Sequence, residues 1–217
     1  MPESPGVSIR KFKAQDREAL RRIAYDTAFM GEPASAFLDG EKIFTDALTM
    51  YFTDYEPESC FVAERAGEVV GYLIGTKDRD FSEKIISQKI ILPLFIEALM
   101  GGFIFRKKNI IFIFNILASM TRREFNAPHF NTEYPAALHI NIRAGFRGLN
   151  TGSMLITAFL DYLKQEDVIG VHLATMSARG AHFFSKQGFE LLCTGKRSYF
   201  RHILHRDVPL YIYGKKL

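Results

Sequence analysis

The stretch Leu138-His139-Ile140-Asn141-Ile142-Arg143-Ala144-Gly145-Phe146-Arg147-Gly148-Leu149-Asn150-Thr151-Gly152-Ser153 carries the architecture of the chain. Its first half alternates apolar and polar residues, the period of a strand. Its second half is a turn of small residues, and from Met154 to Lys164 the apolar residues recur at helical spacing. A strand, a turn with few side chains in the way and a helix N-terminus make an anion site. Backbone N–H groups converge there, and the helix dipole adds about half a positive charge. A phosphate-bearing ligand is therefore expected at this turn.

Outward from that stretch, a strand over Val7–Phe12 is expected. A helix follows Gln15-Asp16, with Leu20, Ile23, Ala24 and Phe29 on one side, and a second helix covers Gly40–Tyr51. Phe61–Glu64 and Val69–Gly75 read as a hairpin turned at Arg65-Ala66-Gly67-Glu68. Beyond the opening stretch come a strand over Val168–Ala174, a helix over Ser177–Lys186 closed by Gly188, and strands over Glu190–Cys193 and Val208–Tyr213. The basic, histidine-bearing run Arg197–Asp207 lies between the last two.

Residues 77–135 are long and apolar. A membrane span needs about 20 consecutive mostly apolar residues. Lys84, Lys89, Glu97 and Arg106-Lys107-Lys108 interrupt this segment, and its longest uncharged run, Asn109–Thr121, is shorter than that. No stable membrane insertion is expected. The pattern predicts helices near Ser82–Met100 and Asn109–Arg122, joined at Gly101-Gly102, as a helical insertion forming a lid or packing layer. A membrane-surface element and a homodimer interface are the alternatives.

Composition narrows the class. With 217 residues, 47% hydrophobic and 24% charged, a single soluble domain over 1–217 is expected. A net charge of +4 suits an anionic ligand but is too small and dispersed for a nucleic-acid partner. Cys60 and Cys193 are far apart and outside any CxxC pair, which predicts two reduced, buried thiols and no zinc or redox motif. No other residues show metal-ligand spacing, His202 and His205 included. The start, Met1–Val7, is polar and lacks the apolar core of a secretory signal, so a reducing cytoplasm is expected.

The turn 147–152 lacks GxxxxGK[ST], which argues against a nucleoside-triphosphatase loop. It also lacks GxGxxG with an early βαβ unit, which argues against a nicotinamide dinucleotide. It resembles the pyrophosphate loop of the GNAT superfamily of N-acetyltransferases, Gln/Arg-x-x-Gly-x-Gly/Ala after a strand. Arg147 matches the first position, Asn150 replaces the first glycine and Gly152 matches the second. Asn is the best non-glycine residue for a left-handed position, so the backbone path is retained. The superfamily's later Asn-x-x-Ala-x-x-x-Tyr, then Gly-Phe, is matched in spacing by Ser177-Ala178-Arg179-Gly180-Ala181-His182-Phe183-Phe184, then Gly188-Phe189. The element order agrees outside residues 77–135. Within the superfamily, the Leu138-His139-Ile140 strand and Gly31-Glu32-Pro33 resemble the acetyltransferase-like domain attached to O-GlcNAc hydrolases.

The resemblance implies an α/β (α+β) fold with a mixed, mostly antiparallel sheet and helices on both faces. It implies acetyl-CoA as acyl donor and a small-molecule or peptide amine as acceptor. The backbone of Ile140, Asn141 and Ile142 would pair with the pantetheine arm. The N–H groups of Arg147, Gly148, Leu149, Asn150, Thr151, Gly152 and Ser153 would hold the pyrophosphate. Ser177 would stand beside the pantetheine, and Lys186 or Arg179 would meet the 3′-phosphate. Phe184 occupies the position where relatives carry a tyrosine that protonates the departing thiolate. Phe184 cannot donate, so Ser177, Tyr199 or water must serve, or the protein is a CoA-binding module without turnover.

Transfer to an amine also needs a base. Alternation places His139, Asn141 and Arg143 on one strand face, and His139 has an ordinary pKa suited to neutral pH. A buried, hydrogen-bonded histidine is the plainer reading of that residue. Asn141 either orients a substrate or satisfies a backbone group. His172 is a second candidate base, and Glu32 and Asp39 are candidates to line an acceptor cleft.

Overall fold

The computed structural model describes residues 6–217. Met1–Pro5, most of the polar start read above, lies outside the described residues. Seven strands make one sheet: β1 (Ser8–Lys11), β2 (Phe61–Arg65), β3 (Glu68–Thr76), β4 (Ala136–Ile142), β5 (Gly170–Thr175), β6 (Glu190–Arg197) and β7 (Val208–Lys216). Their order is β1-β2-β3-β4-β5-β7-β6, and among these strands of the described residues the β4–β5 pair alone is parallel. The expected mixed, mostly antiparallel sheet with helices on both faces is the fold.

The period-2 pattern of the strands gives each face its own core. On one face α1 (Arg17–Thr27) lays Leu20, Ile23 and Ala24 on Val62, Tyr72 and Ile74, with α2 (Glu41–Asp54) beside it. On the other, α6 (Thr151–Gln165) lays Leu155, Ile156, Phe159 and Leu163 on Leu73, Leu138 and Val171, and α7 (Ala178–Lys186) adds Ala181 and Phe184. Each such side chain, fully buried, contributes about 1.5–3 kcal/mol.

Between β3 and β4 run α3 (Arg79–Ile85), a π-helical stretch (Ile86–Ile91), α4 (Leu92–Met100) and α5 (Lys107–Thr121). The first predicted helix of this segment starts three residues early and contains the π stretch. There the buried positions shift from Ile85 to Ile90 and then recur at Leu94 and Ala98. No helix among the described residues is long and apolar enough to cross a membrane. A short α8 (Arg201–Leu204) joins β6 to β7, and β6 runs on to Arg197 because β7 pairs with it that far.

A buried carboxylate fixes the point where the chain leaves β3. Glu56 accepts from the Tyr51 hydroxyl at 2.8 Å, Thr76 Oγ1 at 2.7 Å, Ser59 Oγ at 2.6 Å and the Lys77 N–H at 2.8 Å. Glu56→Ala would leave several buried donors unpaired, at a cost of about 3 kcal/mol. Chemical denaturation should show that loss; an unchanged midpoint would remove Glu56 from the account of stability.

Candidate functional site

β4 and β5 pair only at Ala136↔Val171 and Ala137↔His172. Beyond those residues they splay apart, and a cleft of ≈ 770 Å³ opens between them. The Arg143 N–H donates to the Val70 carbonyl at 3.0 Å. Alternation then turns the backbone of His139 and Asn141 to β3, and that of Leu138, Ile140 and Ile142 to the cleft. The side chains obey the same period in the other sense. His139 and Asn141 lie on the α1 face beside Tyr72, while Ile140 and Ile142 pack toward α6.

The predicted turn is the cleft's basic end. Asn150 adopts φ 61°, ψ 2°, the left-handed conformation expected for an asparagine replacing glycine, and it opens α6. The first amide of α6 to reach a carbonyl of the turn is Met154, to Asn150 at 3.1 Å. The N–H groups of Thr151, Gly152 and Ser153 precede it and point out of the helix end. The Arg147 N–H is already bonded to the Ala144 carbonyl at 3.4 Å and is not available to a ligand. Gly152 is fixed by packing as well: a Cβ there would lie 2.9 Å from Cζ of Phe183 on α7.

Arg147 spans the cleft. Its Nε donates to the Ile142 carbonyl at 2.8 Å, and its guanidinium rests on Gly31, where a Cβ would lie 3.0 Å from it. The Ile142 carbonyl, expected to face a pantetheine arm, thus already accepts from Arg147, and Ile140 is left as the cleft-facing backbone. Arg147, Arg179 and Lys186 line the cleft, and no Asp or Glu among the described residues does. A fixed cationic wall without carboxylates attracts an anion and repels a polycation.

Of the expected residues, His139, Ile140, Asn141, Ile142, Arg147, Gly148, Asn150, Gly152, Ser153, Ser177, Phe184 and Lys186 are brought together on this wall. Leu149 and Thr151 are not part of it. Leu149 is exposed, and Thr151 is buried beneath the turn with its hydroxyl 3.4 Å from the Phe146 carbonyl. Sequence reasoning missed Thr27, Ala28, Met30 and Gly31 at the end of α1, and Gln187, whose Nε2 donates to Ser153 Oγ at 2.9 Å. Gly31 belongs to the Gly31-Glu32-Pro33 motif noted above but was given no site role there, and the others reach the site only through the fold.

His139 departs from its expected pKa. The Asn141 amide donates to the Tyr72 hydroxyl at 3.0 Å and to His139 Nε2 at 3.1 Å, which assigns the proton of neutral His139 to Nδ1. The ring borders the cleft and is half-buried, but protein encloses it closely enough that burial pushes its pKa from 6.5 to about 4. A group whose folded pKa is depressed in this way stays neutral, while the unfolded chain takes up the proton. Its stabilising effect is complete above about pH 6.5 and is lost as pH falls toward 4. The loss is at most on the order of 3 kcal/mol, less where cleft water solvates the ring. Denaturation at about pH 7.5 and about pH 5 should show a smaller loss for His139→Gln than for the parent; equal losses would contradict the burial of His139.

The other proton-transfer candidates sort by position. His172 sits where the strands still pair, with Nδ1 2.8 Å from the Tyr134 carbonyl, and it is off the cleft wall. Asp39 is committed to Lys108 at 3.2 Å, and Glu32 is exposed beside the α1 end; neither lines the cleft. The Tyr199 hydroxyl donates to Met176 Sδ at 3.3 Å from outside the wall. Ser177 caps α7 by accepting the Gly180 N–H at 3.1 Å, which leaves its O–H free to donate. Phe184 is buried against Phe183 and Phe189. Cys60 is buried and burial pushes its thiol pKa up, whereas Cys193 is only half-buried on β6, where the sequence reading had both buried. Neither lines the cleft.

Comparison with known proteins gives the same frame. SsHAT is similar at 26% identity over 98% of this chain and 98% of that one, with a TM-score of 0.73. A Drosophila melanogaster polyamine N-acetyltransferase that catalyses formation of N-acetylagmatine is similar at 15% identity, over 97% of this chain and 100% of that one, with a TM-score of 0.63. yncA of Salmonella typhimurium, a putative acetyltransferase solved with its cofactor acetyl-CoA, is similar at 12% identity, over 98% and 94%, with a TM-score of 0.58. The last two likenesses are of fold alone. Curated proteins yield no match. A model of the acetyltransferase (GNAT) family matches residues 19–189, more than half of the sequence. The chain belongs to the acetyltransferase (GNAT) family.

Proposed function

We propose that the cleft binds acetyl-CoA and that the protein passes the acetyl group directly to an amine in a ternary complex. The observation that carries this reading is the splay of β4 from β5, ending on the free first-turn amides of α6, Thr151–Ser153. Those amides and the helix dipole suit the pyrophosphate. Lys186 or Arg179, at the same mouth, suits the 3′-phosphate, and the Ile140 backbone suits the pantetheine amides. The thioester then lies near Asn141 and Ser177, and the acceptor enters beside Thr27–Gly31.

The amine nitrogen attacks the thioester carbonyl carbon, the C–N bond forms and the C–S bond breaks with its electrons on sulfur. With its depressed pKa, His139 is a weak base. The ammonium proton leaves through water, while Asn141 and His139 orient the amine. The Ser177 hydroxyl, or water, returns a proton to the thiolate. No cysteine borders the cleft, which supports transfer without a covalent enzyme intermediate. The carboxylate-free wall favours acceptors without additional cationic arms. The unpaired cysteines are compatible with a reducing, cytoplasmic setting.

Phe184 favours one second reading, an acetyl-CoA-binding sensor without turnover. Release of the CoA thiol with a panel of amines, amino acids, peptides and sugar amines separates the two. Turnover above background for one acceptor, and little for polyamines, is the expected result. Tight acetyl-CoA binding with background turnover throughout would give the sensor reading instead.

A further inference from the structure

We propose that α4 and α5 form a docking face for an anionic lipid bilayer, lying in its interface rather than crossing it. Fourteen of the twenty exposed large apolar side chains among the described residues fall between residues 86 and 125. Met100 is 83% exposed and Phe114 70%. On α5 the two buried residues are polar: Asn109 bonds the Asp39 N–H and carbonyl at 2.8 and 2.9 Å, and Ser119 meets Ser198 at 3.3 Å, with Phe112 packed between them on Phe37 and Phe200. The outward stripe is Ile110, Phe114 and Leu117, with Met120 one turn on. An apolar stripe of this extent is not left to water in a monomeric protein.

Charge selects the occupant. Residues 86–125 hold six Lys and Arg against Glu97 and Glu124, a net +4 that equals the net charge of the whole chain. Glu97 is bonded to Lys42 at 3.0 Å, and Glu124 to the Ser198 N–H at 2.7 Å. Lys108 is paired with Asp39 at 3.2 Å, but Arg106 and Lys107 stand at the start of α5 with no acid in the first turn, against the helix dipole, so they do not serve the helix itself. A second copy of this chain would set the same cationic rim against itself across a two-fold axis. Anionic headgroups neutralise it while acyl chains cover the stripe. Phe112 joins this face to the cleft, since it packs in the cluster that contains Ala28 and Met176 of the cleft wall.

Flotation of the full chain with vesicles tests this, using phosphatidylcholine alone and an equimolar mixture with phosphatidylglycerol. Binding to the mixed vesicles only, weakened by salt, is expected. Phe114→Asp with Leu117→Asp should abolish it, and Arg106→Ala with Lys107→Ala should weaken it about fivefold per cation removed. Both variants should keep the parent affinity for acetyl-CoA, which reports an intact fold. Absence from both vesicle types would overturn the proposal, as would equal binding to both. So would a solution dimer that the Phe114 and Leu117 substitutions break, which would make the face a contact between copies.

Discussion

Gly152→Val should weaken acetyl-CoA binding at least about 100-fold, the loss of one to two charge-assisted hydrogen bonds. Two causes act together. The new side chain covers amides that the pyrophosphate approaches. Its Cβ also lies 2.9 Å from Cζ of Phe183, so that ring must turn aside and disturb the packing of α7 on α6. Calorimetric titration of both proteins measures the effect, with thermal unfolding as the check on folding. A variant that stays folded and binds acetyl-CoA like the parent would remove the turn from the donor site.

Phe184→Tyr should raise kcat at least about tenfold and leave KM for acetyl-CoA within about twofold, because positioned general acids contribute about 10²–10⁴. Phe184 borders the same cleft as Ser177, and the thiolate departs into that cleft in the proposed reaction. A phenol there supplies a proton that the parent takes from Ser177 or water. Steady-state kinetics with a saturating amine reads the result. An unchanged kcat would mean that thiolate protonation does not limit this protein.

Legibility in the sequence followed how local each determinant is. The αL conformation at Asn150 and the left-handed Gly188 with φ 76° are properties of a few consecutive residues, and both were readable. The insertion of β7 between β5 and β6 was not, because strand order is set by pairing across the sheet. The splay of β4 from β5 is likewise invisible to alternation, since both strands keep their period while parting. The pKa of His139 depends on the enclosure formed by Tyr72 and Asn141, which a single strand pattern cannot report. Asp39 looked like an acceptor-site acid from its neighbours in sequence, but its partners, Lys108 and Asn109, are supplied by α5. The hairpin turn and the π stretch show the same division. Gly67 at the hairpin takes φ 81° as its sequence suggests, whereas φ 51° at Ala66 and the π stretch at Ile86–Ile91, packed on α2, were not readable.

The central claim is that the cleft between β4 and β5 is an acetyl-CoA site. Isothermal titration of the parent chain with acetyl-CoA tests it most directly. One site per chain is predicted, with a Kd tighter than about 100 μM that weakens as salt screens Arg147, Arg179 and Lys186. No heat of binding at millimolar acetyl-CoA would contradict the account.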